Sequence, residues 1–158
     1  MITINNTMKK MTLTILILIF ITGLTWSQEQ AVKKLSVTIG NPWFGLKYDI
    51  NSRFSAELRD VVDPDLNIPA VKGYYNFYKG SKLTGFTGVG YGIISFKSED
   101  VTGNGSLLTV FVGSEYKLMP NKSLSLDIGY STINLKSSNY SVSGPEYIFN
   151  IGLNCYVF

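Results

Sequence analysis

Ser123-Leu-Ser-Leu-Asp-Ile-Gly-Tyr-Ser-Thr-Ile-Asn-Leu-Lys136 decides how this chain is read. Leu124, Leu126, Ile128 and Tyr130 fall on one face, while the other begins Ser125, Asp127, Gly129, Ser131. A period of two is that of an extended strand with one apolar and one polar side. The polar side carries the information. A water-washed exterior is normally richer in Lys and Glu, whereas small hydrogen-bonding residues suit the crowded interior of a narrow barrel. The apolar face then turns outward.

The neighbouring segments repeat the pattern. In 106–118, Leu108, Val110, Val112, Tyr116 and Leu118 oppose Thr109, Gly113, Glu115 and Lys117. In 145–158, Tyr147, Phe149, Ile151, Leu153, Cys155 and Val157 oppose Asn150, Gly152 and Asn154. Runs rich in Val, Ile, Thr, Tyr and Phe, cut by Gly, Pro, Asn, Ser and Asp, predict strands near 35–40, 43–50, 53–61, 71–79, 84–97, 106–118, 123–136 and 145–158. No amphipathic helix interrupts them. The expected fold is all-β, a closed antiparallel up-and-down transmembrane β-barrel of about eight strands. Closure follows because every backbone polar group in lipid needs a partner. The first two runs form one strand or two, depending on whether Asn41-Pro42 bends or turns.

After that first link, short and long connections alternate. Asn51-Ser52, Gly80 to Leu83 and Met119 to Lys122 are short, while 62–70, 98–105 and 137–144 are long. Short periplasmic turns and longer external loops produce this alternation in outer-membrane barrels. The three long links are therefore the expected external loops.

The first 27 residues belong to a different object. Met8-Lys9-Lys10 is basic, Met11 to Leu24 is almost continuously apolar, and Thr25-Trp26-Ser27 ends in small residues. That is the layout of a cleaved signal peptide, and the run is short for a spanning helix. Residues 1–27 are expected to be removed and 28–158 to form the barrel domain. Without Lys9 and Lys10 the charge falls from 14 − 11 = +3 to 12 − 11 = +1, so nothing here asks for nucleic acid. Charged residues are 16% of the chain, against about 25% in soluble domains.

The inward register is predicted to carry Lys47, Asp49, Arg53, Glu57, Arg59, Glu115, Lys117 and Asp127. With near-equal signs they can pair in a structural network that fills the lumen. The lipid-facing set is Leu108, Val110, Val112, Leu124, Leu126, Ile128, Phe149, Ile151 and Leu153. Thr87-Gly-Val-Gly-Tyr-Gly92 lies within a strand, so Gly88, Gly90 and Gly92 are read as space for bulky neighbours, with Tyr74 and Tyr78 lying over them. Asp63-Pro-Asp65 starts like a calcium loop, but Ile68 and Tyr74 stand where Gly and Glu are required, which excludes an EF-hand.

On these patterns the segment from Leu35 to Phe158 resembles the small bacterial outer-membrane barrels, of the OmpA/OmpX type or the β-barrel domains common in Bacteroidetes. The ending Asn150-Ile-Gly-Leu-Asn-Cys-Tyr-Val-Phe158 looks like the terminal strand of such barrels. It departs from them at Asn154, Gly152 and Asn150, where apolar residues are usual. The resemblance implies contact with outer-membrane lipid, recognition by the barrel-assembly machinery, and a structural or surface-contact role through the loops. Barrel enzymes of this kind rely on His, and this chain has none. Neither catalysis nor a cofactor or metal is expected. A second reading stays open: a secreted or periplasmic soluble barrel, lipocalin-like, with a small apolar ligand. The two differ in whether Leu124, Leu126, Ile128 and Val110 point outward or inward.

Overall fold

A computed structural model describes residues 35–98, 101–137 and 140–157. The expected leader and Phe158 lie outside them. Eight strands follow one another: β1 (Leu35–Gly40), β2 (Trp43–Asp49), β3 (Phe54–Asp63), β4 (Leu66–Lys79), β5 (Leu83–Ser98), β6 (Val101–Met119), β7 (Lys122–Ser137) and β8 (Ser141–Tyr156). Each pairs antiparallel with its neighbour in sequence, and β1 pairs with β8 to close the ring. Asn41-Pro42 is a turn, so the first two runs are separate strands.

The registers fix the geometry of the barrel. From Asn154 on β8, successive partners are Thr38, Gly45, Arg59, Ala70, Gly92, Leu107 and Ile133. The next partner is Gly144, back on β8 and 154 − 144 = 10 residues from the start. A shear of ten over eight strands implies a strand tilt of about 40° and an interior wide enough only for side chains.

Strand lengths are unequal, from 6 residues in β1 to 19 in β6. At the end holding Leu35 and Val157 the rim is nearly level. At the opposite end, called upper below, the β1–β2 turn lies roughly 20 Å beneath the β5–β6 and β7–β8 tips, from the tilt and rise per residue. β8 meets β1 only over Gly152–Tyr156, so Ser141–Ile151 pairs with β7 alone. The wall has a notch there. Ser137 N–H donates to the Tyr140 carbonyl (2.9 Å) and Tyr156 N–H to that of Asn121 (2.9 Å). In an antiparallel ladder this turns the backbone of even-numbered β8 residues toward β7 and of odd-numbered ones toward the notch. Pro145 therefore sits where its missing N–H breaks no ladder bond and blunts the free edge.

The three long links are corrected. Links 62–70, 98–105 and 137–144 are mostly strand: β3 and β4 are joined by Pro64-Asp65, β6 begins at Val101, and β8 at Ser141. Their Asn, Ser, Thr and Lys residues have the composition of loops because the sheet continues upward with its outer face polar.

Candidate functional site

The outer surface carries one apolar belt. Leu108, Val110, Val112, Leu126, Ile128, Phe149 and Ile151 are exposed on it, and Leu124 and Leu153 share the outward register half-buried. Tyr75, Tyr116, Tyr91, Tyr130 and Tyr147 lie toward its margins, and from the register the belt is about 25 Å tall. Above Ile93, Leu108 and Tyr130 the faces exchange character. The outward residues become Ser95, Lys97, Asn104, Asn134 and Lys136, while Ile94, Phe96, Leu107, Ile133 and Leu135 turn inward.

The lower interior is ionic and closed. Lys47 Nζ contacts Glu115 Oε2 at 2.8 Å, and Glu115 also accepts from Ser123 and Tyr156. Arg59 donates to both oxygens of Glu57, from Nε at 3.2 Å and Nη2 at 3.1 Å. Thr38 Oγ1 (2.7 Å) and Tyr74 complete the Glu57 shell. Lys72 Nζ lies 3.5 Å from Asp127 Oδ2, and Asn150 Nδ2 donates to Oδ1 at 2.8 Å. Three cations thus face three carboxylates, with no surplus charge among them. The cations also use ring faces: Arg59 lies 3.5 Å from the Trp43 centroid and Lys72 4.0 Å from that of Phe111. Tyr74, Phe86 and Phe111 pack edge to face, with centroids 5.1–6.3 Å apart. The gap left among Lys47, Glu57, Arg59, Tyr74, Phe86, Ser125, Asp127 and Asn154 is about one water molecule in size.

Of the residues expected inside, Lys47, Glu57, Arg59, Glu115 and Asp127 meet there. Asp49 is half-buried at the lower rim and accepts from Ser55 Oγ at 2.7 Å. Arg53 and Lys117 do not join them. Arg53 stands exposed in the Asn51-Ser52-Arg53 turn, where Asn51 Oδ1 accepts from its N–H (2.8 Å), and Lys117 is exposed at the lower rim, opposite the buried Ser123. Alternation predicts which way a side chain points, and neither long cation reaches the interior from the rim. Lys72 is the member that sequence reasoning missed, although Lys72-Gly-Tyr74-Tyr-Asn76 carries the same alternation. Trp43, Phe86 and Phe111 were not expected inside, because large rings ordinarily mark the apolar face.

Glycines make room for those rings. The indole of Trp43 lies against Gly40 and Gly152, and a Cβ on Gly88 would run into the Gly73 carbonyl and the Phe111 ring. At Gly90 a Cβ would come nearest the flexible stem of Lys72, at 3.2 Å, with the Val71 carbonyl at an ordinary 3.6 Å. Tyr74 lies opposite Gly88 as expected. Tyr78 does not: it pairs with Gly85, three residues below Gly88, and is exposed.

Among the described residues no three His, Cys, Asp or Glu converge as a metal set. No family model matches the chain, and no curated protein does. Among solved structures, the chain is similar over most of its length to the N-terminal β-barrel domain of Pseudomonas aeruginosa OprF, at 12% identity and a TM-score of 0.54, covering 78% of this chain and 94% of that one. The likeness is one of fold, a closed eight-stranded antiparallel barrel.

Proposed function

We propose that this chain is an integral outer-membrane β-barrel with a structural or surface-contact role, whose lumen is plugged by side chains and conducts no ions. The observation that carries this reading is the belt. Leu124, Leu126, Ile128 and Val110 point outward, and the polar and apolar faces exchange at one level on β5, β6 and β7. Water on both sides of the wall gives no reason for such a level, whereas the boundary of a bilayer does. The lipocalin-like alternative needs those four residues inside. Export through cleavage after Ser27 and insertion by the barrel-assembly machinery complete the proposal. With the loops reduced to hairpins, surface contact falls to the raised wall of β5 to β8.

Fractionation tests the placement, and recovery in detergent-free soluble extract defeats it. Planar-bilayer recording tests the plug, since a network of three mutually satisfied ion pairs predicts no stable conductance. A steady open level of nanosiemens size overturns it.

A further inference from the structure

The upper interior is not accounted for by a structural plug. Above Arg59 and Trp43 the inward register is lined by Ile68, Ile94, Leu107, Ile133, Leu135 and Ile148, of which only Ile94 is fully buried. The other five keep part of their apolar surface uncovered within the raised wall. Gly144 also faces inward, and a Cβ there would meet nothing within 4 Å. This cup is open on one side through the notch. From the register, the β1–β2 turn lies roughly 5 Å below the upper margin of the outer belt, so the notch starts within the lipid-facing zone.

The floor adds chemistry. The Trp43 indole N–H is buried and has no acceptor among the described residues. Buried donors are nearly always satisfied, so an orphan asks for a partner. It lies beside Gly40, at the foot of the notch. Arg59 stacks on the same indole, and its bonds to Glu57 use two of its five donors. A cation and an unmet N–H therefore stand together beneath an apolar cup. Of the inward acids, Asp63 stands exposed at the top of β3, and Glu146 pairs with Ser131, in the rung just below Leu107 and Ile133.

We infer that the cup binds a single-chain fatty acid drawn from the outer leaflet through the notch. The carboxylate sits at the floor, accepting from Trp43 Nε1–H beside Arg59, and the chain rises along Leu107, Ile133 and Ile94. An interior this narrow admits one chain and not the two of a phospholipid. The proposal rests on the membrane placement above.

Trp43 itself is the probe. With Trp26→Phe in the full chain, Trp43 is the sole indole. The protein is placed in nanodiscs of unbrominated phosphatidylcholine and titrated with 4,5-dibromostearic acid, whose bromines lie near the carboxylate and quench only at short range. The expected result is saturable quenching, reversed by oleic acid and lost in Gly144→Phe, which fills open space and leaves the floor untouched. An unchanged heat-dependent gel shift and strand circular dichroism show that this variant is folded. Linear, non-saturable quenching that oleic acid does not reverse, or saturable quenching undiminished in Gly144→Phe, overturns the proposal. Failure to enter nanodiscs at all overturns the membrane placement instead, so the two failures are distinguishable.

Discussion

The lower and upper halves of the interior are built from the same strands and obey opposite rules. Below the Trp43–Arg59 floor, Lys47, Glu57, Lys72, Glu115 and Asp127 are buried with partners, and the surface outside them is apolar. Above it, Ile94, Leu107, Ile133 and Leu135 face inward and the outside is Ser, Asn and Lys. Neither half is exceptional alone. Their opposition shows that the register of a strand fixes only where a side chain points. The medium outside the wall decides which residues are tolerated there.

The largest effect that tests this contrast comes from unpairing the lower half. Glu115→Ala leaves Lys47 buried among Tyr74 and Phe86 without its carboxylate. Breaking one partner of a buried pair typically costs about 3–5 kcal/mol. Urea titration in detergent micelles should show that loss, and Lys47→Met with Glu115→Leu should recover most of it. An unchanged midpoint for Glu115→Ala means that water reaches the lower interior and the plug is not dry.

The exchange of faces along β6 offers a second test on the outer surface. Val110→Arg places a charge in the middle of the belt, where the cost in a membrane barrel is about 2–4 kcal/mol. Asn104→Arg, six residues up the same face, should stay within about 0.5 kcal/mol of the parent. Equal effects of the two in a bilayer folding titration remove the boundary between the halves and, with it, the membrane reading.

That boundary was also the limit of what the sequence disclosed. The all-β class, about eight antiparallel strands and five of the eight expected interior charges could be read because period two is strong in Leu124–Tyr130 and Leu108–Val112. The upper strand ends could not. β4, β6 and β8 begin at Leu66, Val101 and Ser141, four to five residues before the expected starts, because above the belt the apolar phase has passed to the other face. The same exchange turned Ser, Asn and Gly of the raised wall into loops. Trp43, Phe86 and Phe111 escaped notice because an aromatic in a polar register is legible only once Gly40, Gly88 and Gly152 are known to stand against it. Arg53 and Lys117 failed for the opposite reason: their parity was right and their height wrong.

The smallest test sits on the boundary itself. Thr109 on β6 opposes Ser131 on β7, and their hydroxyls are 2.8 Å apart and buried. The next inward pair upward is Leu107 with Ile133, so this is the last polar rung before the apolar half. Ser131→Ala should cost about 1 kcal/mol, because the Thr109 hydroxyl keeps its desolvation penalty and loses its partner. Thr109→Val should cost a similar amount by stranding Ser131. If the upper half is apolar enough to accept one more apolar rung, the double variant should return to within about 0.5 kcal/mol of the parent. Additive losses in that cycle, read by urea unfolding, would mean that the hydroxyl pair serves the polar network below through more than its own bond. The division would then lie one rung higher, between Leu107 and the residues above it.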